Sequence, residues 1–496
     1  MALNSMKDIA KLLDFHGLLV DKAGNMETSF TGICNNSKEI NQGELFICKG
    51  LGFKKEYLEG AIKDGATCYV AEMDYNVDLP YVLTKDIRKA QSLIAAAFYD
   101  HPYRAFCLTG ITGTKGKTTT TYDLEALLST YAGRPTGLLS TVERFVGDDH
   151  MVSHNTTAES LDLEKLFLRA KENNLPYVTM EVSSQAYKQD RVFGLHFNYG
   201  VFLNFGEDHI SPNEHENLED YFACKLQLMT HCDTAIICKS TDRFDNIYRV
   251  AKAHARKVMV LGLEDESCDL TAINIKKEHL GFTFDVKEKS TGKVYPYSTI
   301  QEGRFNIENL LVAICIGSLE GASHQLMAKA LERATAPGRM NVVWDEGIRV
   351  IVDYAHNKLS FEALFSSLKK DNPSTPIWVV TGTQGERDPQ RRIDVGELCG
   401  KNADHTIFTA DDPGYESLGE ICEGLAAAAR PFGHGVEIIH DRSRAVEQAL
   451  INAPEGAIVV LAGKGGEKTQ RVCGGYEPYE SDVTAAKRVM ESGMRK

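Results

Sequence analysis

The chain has 496 residues, 43% of them hydrophobic and 25% charged, and its 55 Lys plus Arg against 69 Asp plus Glu give a formal net charge of −14. At roughly 100 to 200 residues per domain this length predicts about three domains, and the composition excludes collagen, disulfide miniproteins and disordered chains. The acidic excess disfavours a nucleic-acid coat or a binder of anionic membranes, which neutralise phosphates with surplus cations, while allowing a small anionic substrate held by a few placed cations.

The first twenty residues carry Lys7, Asp8, Lys11 and Asp14 and so lack the apolar run of a signal peptide. No stretch of about 18 apolar residues occurs, so no membrane-crossing helix is expected. The 12 cysteines, from Cys34 to Cys473, form no C-x-x-C pair and no zinc-ligand spacing, which predicts reduced thiols and a cytoplasmic location. Along the chain, short β-rich apolar runs alternate with helical patterns, the signature of α/β domains on largely parallel sheets. Strands are expected at Phe106 to Thr109, Tyr177 to Glu181, Gly200 to Asn204, Thr234 to Cys238, Ile348 to Asp353, Ile377 to Thr381, His405 to Thr409 and Ala457 to Ala462. Helices are expected at Thr118 to Tyr131, Leu161 to Asn173, Leu218 to Met229, Asn309 to Ser318 and Ser443 to Asn452. Pro and Gly mark two breaks, at His101-Pro102 and at Ala336-Pro337-Gly338-Arg339. They divide the chain into 1–103, 104–339 and 340–496, each a plausible domain.

The strongest local signal is Gly110-Ile-Thr-Gly113-Thr-Lys-Gly116-Lys117-Thr118-Thr119, which follows an apolar strand and opens a helix. Glycines there let the backbone curl around phosphates, Lys117 supplies charge and Thr118 offers a hydroxyl to Mg²⁺. Ile111 stands where a strict G-x-x-x-x-G-K-[ST] loop has glycine, so the match is to T-G-x-x-G-K-T. Gly113, Thr114, Gly116, Lys117, Thr118 and Thr119 are the candidate ATP loop. Kinases, NTPase switches and ligases all use such a loop, so it leaves the reaction open.

Taken with Thr156-Thr157, Glu181-Val-Ser183-Ser184, His209, Lys225, Phe305-Asn306-Ile-Glu-Asn309, Pro337-Gly338-Arg339 and Asp353-Tyr354-Ala355-His356, the loop resembles the Mur ligase family. The resemblance covers nearly the whole chain, with its elements in family order. It implies an α/β protein of three domains: an N-terminal UDP-binding domain (1–103), a central ATPase with a mainly parallel sheet (104–339) and a C-terminal Rossmann-like, amino-acid-binding domain (340–496). The family makes amide bonds at the expense of ATP while building the peptide of peptidoglycan. Asp411-Asp412-Pro413-Gly414 and Gly463-Lys464-Gly-Gly-Glu467 look like the members that add the third residue to UDP-MurNAc-L-Ala-D-Glu.

Such a reaction turns a carboxylate into an acyl phosphate and then lets an amine displace phosphate. Both steps develop negative charge that placed cations can stabilise. The resemblance implies that Lys117, Lys225 and His209 are catalytic, and that Thr118, Glu181, His209 and a carbamylated Lys225 hold magnesium. Read alone, Glu181 is equally a solvated carboxylate at a strand end, His209 a loop histidine and Lys225 a surface lysine. By the same resemblance Asn306, Arg339, Asp353 and His356 join the phosphate loop in holding ATP, and Ser37, Thr156, Thr157, Ser184, Gln189 and Arg191 hold the UDP-sugar peptide. The chain departs from the family's patterns at Asn36-Ser37-Lys38, at His356-Asn357-Lys358 and after His209, where His215 receives no role.

Members that use meso-diaminopimelate carry Asp-Asn-Pro-Arg, whose Arg pairs with the extra carboxylate. With Asp411-Asp412-Pro413-Gly414 the pocket is more acidic, which suits an amine-ended side chain. L-lysine is the direct inference, with Asp411, Asp412, Gly463 and Glu467 around it and Arg387 on its α-carboxylate. Ornithine and meso-diaminopimelate stay open, as do a folylpolyglutamate-synthetase-like ligase and a non-catalytic nucleotide-binding homologue. The expected partners are the UDP-linked dipeptide, ATP with Mg²⁺ and the diamino acid, bound by a monomer.

Overall fold

The computed structural model describes residues 3–50, 52–153, 155–207, 214–386 and 389–493. Three main sheets are each drawn from one continuous stretch of chain. The first runs in the order Leu19–Ala23, Tyr81–Thr84, Cys68–Ala71, Leu45–Ile47, Ile33–Cys34, with only its edge strand Leu19–Ala23 antiparallel. The second has eleven strands. At its centre Leu270–Lys277, Lys257–Leu263, Cys232–Cys238, Phe197–Phe202, Cys107–Thr112, Tyr177–Glu181 and Gly137–Leu139 lie side by side and parallel. Antiparallel strands extend both edges: Phe282–Glu288 and Val294–Thr299 on one side, Glu143–Val146 and Asp149–Val152 on the other. The third sheet runs Asn341–Glu346, Ile348–Asp353, Ile458–Ala462, Ile377–Thr381, His405–Phe408, Gly435–Ile438, parallel except for its first strand.

Parallel strands covered by helices on both faces read as continuous apolar runs rather than alternating ones. Ile458–Ala462 is buried at every residue, and Tyr177–Glu181 at all but the first. That pattern made the expected strands visible, and the structure places Tyr177–Glu181, Ile348–Asp353 and Ile377–Thr381 at the expected residues. The phosphate-loop strand is Cys107–Thr112 rather than Phe106 to Thr109, so Gly110 and Ile111 belong to the sheet and the loop proper begins at Gly113. The expected helix Asn309 to Ser318 spans Phe305–Glu320, which carries Asn306 into its first turn. The stretch Leu218 to Met229 divides into an α-helix Leu218–Leu226 and a 3₁₀ turn Gln227–Thr230.

Helix Lys117–Ala132 starts at Gly116, whose φ of +86° is left-handed and which gives no side-chain cap. A side chain at 116 would strike Asn309 Oδ1, 2.7 Å from the Cβ position. The helix packs Leu124, Leu127 and Leu128 against helix Phe305–Glu320 in one core. Parallel α/β sheets present ligands at the C-terminal ends of their strands. Thr112 and Glu181 both stand at such ends on adjacent strands, with Glu181 in register with Ile111.

The units are joined by polar contacts. Gln91 takes an N–H from Asn35 at 2.9 Å and donates to Ser160 at 2.8 Å, and Lys49 is ion-paired with Glu159. Farther along, Arg349 donates to the His279 carbonyl at 2.7 Å and Lys115 to Asn357 Oδ1 at 3.2 Å. At the linker, Gly338 has φ +66° and its Cβ position falls on the backbone of Gly465 and Gly466. Any side chain there combines left-handed strain of about 1–2 kcal/mol with a backbone overlap. Gly338→Val is expected to lower the melting temperature and to cut turnover about 10- to 100-fold by misplacing the linker. Wild-type turnover and melting in this variant would contradict that reading of the junction.

Candidate active site

Asn204, just after strand Phe197–Phe202, holds the phosphate loop in shape. Its side-chain oxygen accepts the Lys115 N–H at 2.8 Å, its amide donates to the Lys115 carbonyl at 3.1 Å and its own carbonyl takes the Thr114 N–H at 3.0 Å. Lys117 Nζ donates to the Gly113 carbonyl at 2.8 Å and the Thr114 carbonyl at 3.2 Å. Lys225 Nζ donates to the same Gly113 carbonyl at 2.9 Å and lies 4.6 Å from the Tyr221 ring centroid. With 2% of its surface exposed, Lys225 is not the surface lysine that its helix alone suggests. Two ammonium groups therefore converge on one edge of the loop.

Glu181 is buried and collects donors from two other segments. The Thr118 hydroxyl donates at 2.9 Å, the Thr141 N–H at 2.8 Å and the Thr141 hydroxyl at 3.1 Å. A buried carboxylate without such partners would cost several kcal/mol. Thr118 and Glu181 form a hard-oxygen pair suited to Mg²⁺, so the residues present fit that ion. Arg339 reaches the Thr118 hydroxyl at 3.3 Å from the linker, its guanidinium 4.2 Å over the Tyr354 ring centroid.

The other expected ATP residues lie around this centre. Asn306 donates to the Glu302 carbonyl at 2.7 Å and accepts from Asn309 at 2.8 Å, and it is Asn309 that faces Gly116. Asp353 accepts the Met340 N–H at 2.7 Å and the Ala355 N–H at 2.8 Å; burial raises its carboxyl above the usual range, opposed by those N–H groups and by Arg339. His356 Nδ1 donates to the Tyr354 carbonyl at 2.8 Å. Thr119 is buried in the first turn of the loop helix.

Four of the expected substrate residues form one hydrogen-bonded group beside Glu181, and Ser184 belongs to a separate one. Thr156 shares a 3.2 Å bond with Thr141, and Thr157 donates to the Glu181 carbonyl at 2.9 Å. Arg191 donates to the Thr157 carbonyl at 3.0 Å and to Gln189 at 2.9 Å, and is ion-paired with Glu159 at 2.8 Å. Ser184 bonds His215 at 2.9 Å. Among the described contacts none joins Ser37 to this group; it lies half-buried in the turn after strand Ile33–Cys34. His209 and Arg387 lie outside the described residues.

In the third unit, Lys464 is 1% exposed and its ammonium joins Asp412 Oδ1 at 2.7 Å to Glu467 Oε2 at 2.5 Å. Two of the acidic side chains expected to meet a substrate amine thus already share an internal one. Asp411 is buried, with no hydrogen-bond partner at Oδ2 among the described residues, and burial raises its carboxyl to about 6 against the pull of Lys464 and Arg442. Gly463 donates its N–H to the Asp353 carbonyl at 3.1 Å, tying this loop to the nucleotide side. Behind it Arg442 makes a fully buried bidentate pair with Asp482, at 2.9 and 2.6 Å.

The Mur ligase middle-domain model matches residues 111–317, and the Mur ligase glutamate-ligase-domain model matches residues 338–465. A UDP-N-acetylmuramyl-tripeptide synthetase of Lactobacillus delbrueckii subsp. bulgaricus is 35% identical over 510 residues, covering 98% of this chain and 99% of that protein. A UDP-N-acetylmuramoyl-L-alanyl-D-glutamate–L-lysine ligase of Enterococcus faecalis is 35% identical over 486 residues, covering 97% and 95%. The chain belongs to the Mur ligase family. A solved UDP-N-acetylmuramoyl-L-alanyl-D-glutamate–2,6-diaminopimelate ligase superposes with a TM-score of 0.69 at 23% identity over 100% of both chains, which agrees in fold.

Several residues that shape this Mur ligase site carry no signal of their own in the sequence. Thr141 sits in an unremarkable Ser-Thr-Val run, and only the fold brings it to Glu181. Asn309 and Lys464 stand inside family-like runs without a role of their own, Asn204 only closes an expected strand, and His215 has no role because its spacing departs from the family run. Two predictions follow from the geometry. Glu181→Gln keeps the shape and removes the charge, so phosphate release should fall about 100-fold or more with the melting temperature nearly unchanged; retained turnover would exclude Glu181 from the reaction. Asp411, raised from 3.8 to about 6 in the folded state, makes the native state the better proton binder in that window. Stability is therefore lost as pH rises from about 4 to about 6, by an amount on the order of 3 kcal/mol. Asp411→Asn should flatten that slope in urea unfolding, and an unchanged slope would contradict the assignment.

Proposed function

We propose that this Mur ligase joins the D-Glu carboxylate of UDP-MurNAc-L-Ala-D-Glu to the amine of a diamino acid, L-lysine favoured, while ATP is converted to ADP and phosphate. The observation that carries the reading is the convergence of Thr118, Glu181 and Thr141 beside the two ammonium groups on the Gly113 carbonyl. Lys117 offsets charge on the transferring phosphoryl group, and Arg339 adds a guanidinium from the linker. Thr118 and Glu181, with His209 by resemblance, would hold Mg²⁺, which when bound neutralises nucleotide phosphate charge. The substrate carboxylate attacks the terminal phosphoryl group and ADP leaves; the amine then attacks the acyl carbon, loses a proton and expels phosphate, leaving the amide. Lys225 in carbamylated form would add an anion for the metal. The segments 1–103, 104–339 and 340–496 would bind the UDP end, ATP and the amino acid respectively, in a cytoplasmic monomer.

The lysine preference is supported by charge. Asp412 and Glu467 flank Lys464 with Asp411 close by, and Gly414 contributes no cation of its own, the neighbouring Arg471 guanidinium being paired with Glu386. The Enterococcus relative, named as an L-lysine ligase, points the same way.

Coupled phosphate release, measured with and without the UDP-linked dipeptide, should require both the dipeptide and an amino acid and be greatest with lysine. Preference for diaminopimelate would overturn the specificity, and release independent of any amino acid would overturn the ligase reading. Lys225→Ala should lose activity and regain part of it with added short carboxylates; full activity in the variant would remove the carbamate.

A further inference from the structure

Two segments meet over Gly414. On one side, the Gly385 N–H donates to the Asp412 carbonyl at 3.1 Å, and the Glu386 N–H is accepted by the Glu416 carboxylate, itself ion-paired with Arg392. On the other side lies the hairpin of Thr469–Val472 and Gly475–Pro478, docked through its main chain. The Gly414 N–H donates to the Arg471 carbonyl at 3.2 Å, the Cys473 N–H to the Gly414 carbonyl at 2.9 Å and the Arg471 N–H to Asp412 Oδ1 at 2.9 Å. With both backbones held, the side chains of Glu386 and Arg471, 37% and 32% exposed, form an ion pair where a side chain of residue 414 would stand. A Cβ at 414 would lie 2.5 Å from Glu386 Oε2 and 3.6 Å from Arg471 Nη2.

We infer that Glu386 is a specificity-determining residue for the amino acid substrate: by pairing with Arg471 it withholds that guanidinium from a carboxylate at the far end of the substrate. A guanidinium within reach of a carboxylate forms a charge-assisted, often bidentate pair. An unpaired Arg471 would therefore recruit a distal carboxylate even though residue 414 is glycine. Glu386 cancels this cation and repels the same carboxylate, whereas an ammonium-ended side chain meets no net opposing charge. An arginine at 414 itself is excluded by the same arrangement, because Gly414 has a left-handed φ of +61° and the added side chain would meet Glu386. The hairpin is attached by backbone groups that any residue supplies, and an ion pair this exposed contributes little to stability. What the pair sets is the charge at this point.

The inference rests on the reading that a diamino acid is joined here with its far end at residue 414, and the test separates the two. Coupled phosphate release by the full-length enzyme with the UDP-linked dipeptide gives kcat/KM for L-lysine and for meso-diaminopimelate in wild type, Glu386→Ala, Glu386→Gln, Arg471→Ala and the double variant Glu386→Ala with Arg471→Ala. The readout is the diaminopimelate-to-lysine ratio, which a purely structural loss, lowering both values alike, does not move. Glu386→Ala should raise this ratio about tenfold or more, and the double variant, with the cation gone, should return it to within about threefold of wild type. Arg471→Ala leaves Glu386 unpaired and should lower the ratio. Glu386→Gln keeps the size without the charge and should raise it, which decides the matter if the alanine variant fails to fold. An unchanged ratio in the Glu386 variants, or a rise that persists undiminished in the double variant, would overturn the inference. A wild-type preference for diaminopimelate would instead overturn the proposed lysine specificity, with the change of ratio between variants still reporting on the pair.

Discussion

The Glu181 carboxylate sits at the end of an almost wholly buried parallel strand and receives the Thr118 hydroxyl from the phosphate loop and the N–H and hydroxyl of Thr141 from the opposite side. Arg339 of the linker shares the same Thr118 hydroxyl, and Thr156 continues the chain from Thr141. A charge taken out of water is tolerated only with partners, so burying Glu181 obliges the fold to bring these segments together. The parallel order Phe197–Phe202, Cys107–Thr112, Tyr177–Glu181, Gly137–Leu139 does this by placing the ends of neighbouring strands around one point. On the proposed reading, nucleotide, metal and acceptor carboxylate would meet there because their binding groups share that constraint.

Charge is distributed to match. The whole chain is acidic, yet the loop edge holds Lys117 and Lys225 on one carbonyl, and Lys115 spans from the loop to Asn357 of the third unit. Across the junction Asp411, Asp412 and Glu467 gather around Lys464, with Arg442 behind Asp411. Gly338, packed on Gly465 and Gly466, is a close contact between the two sides.

The residues that announce themselves in the sequence do so because their chemistry is local. The phosphate loop needs glycines, a lysine and a threonine in one short run, and buried parallel strands need unbroken apolar stretches, so Gly113 to Thr119 and Tyr177–Glu181 were both legible. Lys225 was legible only through family order, since nothing in Leu218–Leu226 distinguishes a buried lysine from an exposed one until Gly113 and Tyr221 are folded onto it. The antiparallel extensions Phe282–Glu288 with Val294–Thr299 and Glu143–Val146 with Asp149–Val152 were not anticipated. Their half-exposed residues alternate and give no continuous apolar signal. The internal pairing of Lys464 with Asp412 and Glu467 is a long-range contact in the first case, and it changes what the acidic motif can offer a substrate.

In the proposed reaction the substrate carboxylate meets the terminal phosphoryl group of ATP at the Glu181 end of the sheet and becomes an acyl phosphate. The most direct measurement is to supply the UDP-linked dipeptide with ¹⁸O in its D-Glu carboxylates and to analyse the phosphate released on ligation by mass spectrometry. Transfer of one ¹⁸O from each reacting carboxylate to phosphate is the predicted result; phosphate free of the label would contradict it.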